Sequence, residues 1–506
     1  MATNREPPKS TGKVILLEAK QSFADLFKWK QRVIVINELG ESHTEWHAPA
    51  PLRNPVSLIA QLSGKDWIYF FLGWFAWVTD IFDFTALSIQ IVKLSEYYHT
   101  SKTHLTTAIT LTLLLRSVGA AIFGLLGDRF GRKWPLVFGL VVIGFLQIGT
   151  IYAATFRQFI LVRALFGIFM GGVYGNAAAM ALENCPVEAR GFISGLFQQG
   201  AAVGLLLAAI TVLAVGGGAN SWKTVFWVGS GLSFSAGLLR CFFAESKQFR
   251  EARASGEKIT ASDMWKETKE MLANEWRMTV YCSILMTWLG YHGHAGTDNY
   301  TTFYLVQKGL DNSAAMRVLI VAKIGSILGG PIAGYLSQWL GRRRSIIGSS
   351  LMSVLLIPAL ILPEGERAFS VAGFFLDFFT IGIIAPIPIH LSELSPSAYR
   401  STFPGVTYQI GNAISSPGVQ IINAIAESHF VRNKAGDRVE AYGPTIAIAL
   451  AILTVGIIVT IAVGPERRGR AFVGGPIGTN IHRDTEKAVG AVSVDEKPPS
   501  ADVKEI

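Results

Sequence analysis

Two different charged loop motifs recur in this chain at one and the same spacing. Gly124-Leu-Leu-Gly-Asp-Arg-Phe-Gly131-Arg132-Lys133 lies between two apolar runs. Gly334-Tyr-Leu-Ser-Gln-Trp-Leu-Gly341-Arg342-Arg343 lies between two others, and 341 − 131 is 210. Glu183-Asn-Cys-Pro186-Val-Glu-Ala-Arg190-Gly is echoed by Glu393-Leu-Ser-Pro396-Ser-Ala-Tyr-Arg400-Ser, where 393 − 183, 396 − 186 and 400 − 190 again give 210. Two unrelated motifs rarely share an offset by chance. The chain therefore reads as two related halves, and internal duplication in an apolar chain is most often the mark of a transporter.

The apolar runs set the fold class. The 506 residues are 50% hydrophobic and 16% charged, with 51 glycines; soluble proteins carry about 25% charged residues. Residues 134–156, 345–363 and 443–464 contain no Asp, Glu, Lys or Arg, and a helix crosses a bilayer with about 20 apolar residues. Glycine lets such helices approach closely. Twelve spans are expected, near 67–92, 105–127, 134–154, 157–182, 191–214, 224–243, 277–306, 314–338, 345–362, 368–392, 402–427 and 443–464. The expected fold is an all-α membrane protein, twelve transmembrane helices in two six-helix bundles. Its parts are an N-terminal segment 1–66, a bundle 67–243, a linker 244–276, a second bundle 277–464 and a disordered tail 465–506. Within the linker, Met264, Trp265, Met271, Leu272 and Trp276 recur at helical spacing and read as an amphipathic helix on the membrane surface.

The net charge of +9 belongs to loops and does not point to nucleic acid. Arg129, Arg132, Lys133, Arg190, the linker, Arg342 to Arg344 and Arg467 to Arg470 fall on one side, which the positive-inside rule makes cytoplasmic, with both termini. Cys185, Cys241 and Cys282 lie in or beside apolar runs, so no disulfide framework is implied. No cleavable signal peptide precedes the first run.

Ionisable residues inside apolar spans are costly and functional by default. Arg116 in span 2 and Arg163 in span 4 offer forks that fit a carboxylate. Arg163 is the favoured substrate ligand; the alternative is a structural bridge to span 1 or span 11. Arg116 reads as structural, partnered by Asp80 or Asp83, which share a face of span 1 and include a candidate proton site. His294 and Asp298 share a face of span 7, and an imidazole beside a carboxylate can hold a proton near physiological pH. Thr302 continues that face. Lys323 in span 8 and Asp377 in span 10 either neutralise each other or make Lys323 a second anion site. Gln409 in span 11 can donate and accept, so it suits a hydroxy- or keto-acid, or a helix–helix bond.

The loop Gly127-Asp-Arg-Phe-Gly131-Arg132-Lys133 and the stretch Pro186 to Gly191 resemble the two loop signatures of the major facilitator superfamily. A narrower resemblance, to fungal Jen-type carboxylate permeases of the sialate:proton symporter group, lies in Leu115 to Gly119, Val162 to Gly172, Ala181 to Gly191 and Pro388 to Pro396. It implies the major facilitator fold and uptake of lactate, pyruvate or related short carboxylates with protons, at a plasma membrane. It also implies that Gln409 contacts substrate, and that Asp128, Arg132, Glu183, Arg190, Glu393 and Arg400 form a charge network that holds the bundles together. Gln338 stands where Asp128 stands in the first half, an asymmetry expected to weaken the network. The family pattern in span 7 is met by His294, Asp298 and Thr302 but broken at Gly290, Gly293, Gly296 and Thr297. That departure allows a larger or dicarboxylic acid.

The expected partners are a small carboxylate, protons and the lipid bilayer, with no cofactor and no metal, in a monomer. No Walker loop, metal-ligand spacing or nucleophile motif marks an enzyme. Two other readings stay open: a sugar or polyol facilitator, against which the buried arginines count, and a non-transporting nutrient receptor, against which the modest length of the terminal segments counts.

Overall fold

The computed structural model describes residues 11–36, 42–48, 51–100, 102–183, 185–216, 218, 220–245, 261–396, 399–433 and 436–469. Nine helices among them are long and apolar enough to cross a membrane. They are Gly64–Ile89 (span 1), Thr107–Phe130 (span 2), Lys133–Tyr152 (span 3), Phe156–Leu182 (span 4), Arg190–Val215 (span 5), Ser313–Leu340 (span 8), Arg342–Ile361 (span 9), Glu366–Leu394 (span 10) and Tyr442–Val463 (span 12). The other three expected spans are also helical. Span 6 is Ser221–Cys241, span 7 lies in Ala261–Ala295, and span 11 is Thr402–Ser415 followed by Gly418–Ser428. These three are the more polar: Lys223 and Arg240 sit in span 6, a charged stretch opens the helix of span 7, and Pro417 divides span 11.

Local chemistry fixes where the helices begin and bend. Ser63 and Asp66 form a capping box at the start of span 1, and Thr155 and Gln158 form another at span 4; each box satisfies amide donors that no preceding turn can reach. Asp311 caps span 8 through the amides of Ser313 and Ala314. Proline removes a donor and crowds the preceding turn; accordingly span 9 breaks before Pro358, span 10 at Pro386 and span 11 at Pro417. Span 7 ends its regular helix at Ala295, turns over residues 296–299 and resumes as a short helix, Tyr300–Thr302, and a wider π turn, Phe303–Gln307. The helix expected at 264–276 runs unbroken from Ala261 into span 7; in it Met271 is buried in the core of the second bundle while Leu272 and Trp276 are exposed.

The duplication reappears as packing. A Cβ on Gly119 of span 2 would lie 1.7 Å from the backbone oxygen of Ile168 in span 4, and one on Gly329 of span 8 would lie 2.3 Å from that of Phe378 in span 10. Both positions differ by 210. Backbone-to-backbone contact at a glycine thus joins spans 2 and 4 and, again, spans 8 and 10, as small residues do in membrane bundles. The two halves meet through spans 2 and 11 and through spans 5 and 8. In the latter, Gly191 and Gly195 lie against Gly334 and Gly330 so closely that a Cβ on Gly195 would stand 2.2 Å from the Gly330 oxygen.

Before span 1 lie a helix, Thr11–Leu26, and a hairpin of Gln31–Ile36 with Ser42–His47. The helix docks on the second bundle, where Arg343 Nη2 donates to the Ser22 oxygen at 2.9 Å and Arg344 Nε to that of Leu26 at 2.8 Å. The residues 470–506 expected to be disordered, and linker residues 246–260, lie outside the described residues.

The glycine contacts are testable by adding one methyl group. Gly119→Ala should lower stability by about 1–3 kcal/mol through overpacking. Gly348→Ala, where nothing lies within 4 Å, should be neutral or stabilising. Thermal unfolding in detergent distinguishes them; equal melting temperatures would contradict the packing described.

Candidate functional site

The end of the molecule that carries the basic loops is closed by two copies of one arrangement. In the first half Arg132 Nη1 meets Glu183 Oε2 at 2.6 Å and Arg132 Nη2 meets Asp128 Oδ1 at 3.2 Å. In the second, Arg342 forks onto Glu393 with two bonds of 3.1 Å, and its Nη2 also donates to Gln338 Oε1 at 3.0 Å. Each residue is 210 positions from its counterpart. The halves also cross-link in a mirrored way. Asp128 accepts from Ser401 N at 2.9 Å and from Thr402 N and Oγ1 at 2.7 Å, at the start of span 11. Gln338 accepts from Gly191 N at 3.2 Å, at the start of span 5, and its Nε2 donates to the Val187 oxygen at 3.0 Å.

Residues 128 and 338 therefore each receive the free amides of a helix in the opposite bundle. A helix N-terminus favours an anion, so Asp128 makes the stronger joint. Gln338 compensates by adding a donor, which softens the asymmetry expected from the sequence. Arg190 Nε donates to the Cys185 oxygen at 3.2 Å and lies near the charge of Glu393; Arg400 is buried at the same end. Arg342, read from sequence only as a marker of sidedness, is the partner of Glu393, and its offset from Arg132 was the signal for it.

Midway through the bundles lies a buried ion pair. Arg116 Nη2 is 2.6 Å from Asp80 Oδ2, with side-chain exposures of 3% and 0%. Of the two carboxylates on that face of span 1, Asp80 is thus the one that meets Arg116. Their charges reach Tyr408 of span 11, in the other bundle. Tyr408 stacks on Tyr174 of span 4 with ring centroids 3.9 Å apart, and Trp77 of span 1 stands 5.0 Å from Tyr174 and 6.1 Å from Tyr408. Beside Tyr408, Gln409 Oε1 accepts from Asn412 Nδ2 at 3.2 Å, while its backbone oxygen accepts from Ser117 Oγ at 3.0 Å. Trp77 Nε1, Asp80 Oδ1, Tyr174 Oη, Gln198 Oε1 and Gln409 Nε2 are buried without a hydrogen-bond partner. Buried polar atoms are normally paired, so the unpaired ones at the seam make it a candidate place for a polar ligand, as Asp83 Oδ1, Gln147 Nε2 and Arg163 Nε and Nη2 do within the first bundle. Trp77 also belongs to the hydrophobic core of the first bundle, and the sequence singled out none of Tyr174, Tyr408, Gln198 and Asn412.

Arg163 occupies a different place. Its guanidinium lies 3.9 Å from the centre of the Phe166 ring, its Nη1 reaches Gln147 Oε1 at 3.4 Å, and it feels the charge of Asp83. Asp83 Oδ2 in turn accepts from Ser233 Oγ at 2.9 Å. These neighbours come from spans 1, 3, 4 and 6, so Arg163 and Asp83 form a polar core within the first bundle. Arg163, the substrate ligand expected from the sequence, keeps its Nε and Nη2 without a hydrogen-bond partner there; Arg116 is the arginine beside the seam.

In the second bundle Lys323 Nζ is 2.6 Å from Asp377 Oδ2, and Ser326 Oγ lies 3.4 Å from the same oxygen. His294 Nδ1 meets Asp298 Oδ2 at 2.8 Å, with the Asp298 side chain 43% exposed. Thr302, half-buried, follows in the short helix past the turn.

Two helical bundles of related sequence, joined at one end by a mirrored gate and holding charge midway along apolar spans, define a membrane transporter. The sequence profile of the Major Facilitator Superfamily matches residues 71–418, and the chain belongs to that superfamily. It is 31% identical over 478 residues to the "Carboxylic acid transporter protein homolog" of Saccharomyces cerevisiae, covering 90% of this chain and 77% of that one. It is 25% identical over 408 residues to a "Probable 4-methylmuconolactone transporter" of Cupriavidus pinatubonensis, covering 78% and 90%. Among solved structures, the proton:xylose symporter XylE bound to 6-bromo-6-deoxy-D-glucose superposes with a TM-score of 0.63 at 15% identity, over 80% of this chain and 97% of that one, a likeness of fold alone. The family and these relatives are transporters, not enzymes.

The gate can be read out at a native thiol. Cys185 is 4% exposed, and burial pushes its thiol up to about 12, so little reactive thiolate forms while this end is shut. Asp128→Ala removes the acceptor of the span 11 amides and should raise maleimide labelling of Cys185 at pH 7.5 at least about tenfold, the effect of about 1.4 kcal/mol. Cys185→Ser supplies the blank; unchanged labelling would show that Asp128 does not hold the gate.

Proposed function

We propose that this transporter is a proton-coupled symporter of short carboxylic acids. It works by alternating access in the plasma membrane, with both termini cytoplasmic. The observation that carries the reading is the Arg116–Asp80 pair at the seam, among unpartnered polar atoms and beside Gln409 and Asn412. A guanidinium in an apolar bundle needs an anion beside it. Asp80 is that anion in the empty carrier. When Asp80 takes a proton, Arg116 loses its partner and a substrate carboxylate can replace it with two parallel hydrogen bonds. Proton and anion then enter together, and the loaded site has the same net charge as the empty one.

Gln409 and Asn412 offer donors and acceptors to a hydroxyl or keto oxygen. Trp77, Tyr174 and Tyr408 close the site toward the gate. Asp83, held by Ser233 and near Arg163, is a second candidate proton site. His294 and Asp298, partly open, suit passage of a proton toward the site. The relative of Saccharomyces cerevisiae, a carboxylic acid transporter homolog, and a "Cis,cis-muconate transport protein" of Acinetobacter baylyi at 23% identity support the choice of a carboxylate.

Uptake of labelled lactate, pyruvate, succinate and malate at pH 5 and pH 7.5, in a yeast without its own carboxylate carriers, tests the reading. Saturable uptake should be faster at pH 5 and should collapse with a protonophore. Arg116→Gln should reduce it at least about tenfold, since a charge-assisted hydrogen bond contributes about 1.5–3 kcal/mol. Absence of uptake of every acid, with the protein at the surface, would reject a carboxylate carrier in favour of a facilitator for neutral solutes or a receptor.

A further inference from the structure

We infer that Lys323 and Asp377 form a second anion-and-proton site, in the C-terminal bundle: Lys323 Nζ takes a substrate carboxylate once Asp377 accepts a proton. The inference rests on the carboxylate reading above and extends it to a pair of residues that the first site does not use.

Position comes first. Lys323 lies seven residues, two helical turns, before Gly330 and eleven before Gly334, the glycines of span 8 that press against span 5 of the other bundle. A helix returns to nearly the same face every seven residues. Lys323 therefore lies on the stripe of span 8 that faces the first bundle, farther from the gate. The duplication adds depth. Ser326 is 210 positions from Arg116, and Lys323 is one turn, about 5 Å, from Ser326. The second bundle thus presents a cation close to the depth at which the first presents Arg116.

Packing does not account for the pair. Spans 8 and 10 are held by Gly325 and Gly329, whose added Cβ atoms would stand 2.1 Å and 2.3 Å from the backbone oxygens of Phe374 and Phe378. In the first half the same two spans are joined by Gly119 in the same way, and there Leu113 and Gly167 occupy the positions of Lys323 and Asp377. The architecture closes without a charge pair at this point. A buried ion pair is in any case weak evidence for stability, because apolar side chains of similar volume often serve as well.

The chemistry matches that at Arg116. Asp377 Oδ2 accepts from Lys323 Nζ at 2.6 Å, with Ser326 Oγ at 3.4 Å. The Asp377 charge reaches Tyr300 and Tyr304, past the turn of span 7; one turn farther along span 10, span 9 sets Ser353 Oγ 3.3 Å from Thr380 Oγ1 and Ser349 beside Gly382. A proton arriving on Asp377 breaks the Nζ–Oδ2 ion pair. Lys323 keeps its charge and its three donors, and the incoming carboxylate takes the vacated place. On release the carboxylate leaves, the proton leaves Asp377 and the ion pair re-forms, so charge and protons balance over the cycle.

Two variants test this in the full-length protein, with surface amount measured for each. Lys323→Gln combined with Asp377→Asn removes both charges, so no lone charge is left buried. It should raise the half-saturation constant for the transported acid at pH 5 at least about tenfold, the effect of one lost charge-assisted contact, with the maximal rate at equal surface amount within about twofold. Asp377→Asn alone leaves Lys323 without its carboxylate at every pH. Its half-saturation constant should rise from pH 5 to pH 7.5 less steeply than that of the unaltered chain. A double variant with an unchanged half-saturation constant, or an Asp377→Asn variant that keeps the full pH dependence, overturns this inference and leaves the carboxylate reading intact. If the unaltered chain transports no acid, the carboxylate reading fails and this inference with it.

Discussion

Charge inside an apolar bundle is the constraint around which this protein is organised. An unpaired ion away from water costs several kcal/mol even after the protein relaxes around it. Some buried arginines donate to backbone oxygens, as Arg190 and Arg343 do; others meet that cost with a carboxylate or an aromatic ring. Arg116, Lys323, Arg132 and Arg342 each lie within 3.2 Å of a carboxylate oxygen. Arg163 instead rests on the Phe166 ring and near Asp83. Such an arrangement is balanced without being rigid: a proton on the carboxylate frees the cation, and a new anion can restore the balance. The pairs at the gate and the pairs at mid-depth obey the same rule. The gate pairs lie where the two bundles join, and the mid-depth pairs lie at the proposed substrate sites.

The mirrored gate adds a polar joint to the apolar contacts between the halves, such as Ile389 in the core of the first bundle. Residues 128 and 338 each bind the first amides of a helix in the opposite bundle, so rocking the bundles apart at this end must break both sets of bonds. Asp128 receives several donors and Gln338 fewer, which gives one half of the joint greater strength. Glycine-to-glycine contact between spans 5 and 8 brings the backbones of the two halves together.

Much of this was legible in the sequence because the repeat offset is a property of residue numbers. The offset that ties Glu183 to Glu393 also ties Arg132 to Arg342, and Gly119 to Gly329. The apolar runs located the spans. What the sequence could not supply was the rotational setting of each helix. Arg163 and Arg116 both lie inside spans, but depth along a helix does not say whether a side chain points to the seam or into its own bundle. Asp80 and Asp83 share a face, so spacing alone could not choose which one meets Arg116. The stack of Tyr174 on Tyr408 joins residues more than two hundred positions apart and leaves no local pattern to find. The apolar spacing at 264–276 suits a membrane surface and a bundle core equally well, and Met271 is buried while Leu272 and Trp276 are exposed.

Joint entry of anion and proton at a buried ion pair is tested most directly by accumulation of a labelled acid by the purified protein in liposomes with an imposed pH gradient, acid outside, compared with protein-free liposomes and with Asp80→Asn. Accumulation well beyond that of protein-free liposomes, abolished by a protonophore and lost in Asp80→Asn, is the expected result. Accumulation that Asp80→Asn leaves unchanged, or mere equilibration that ignores the gradient, would contradict it.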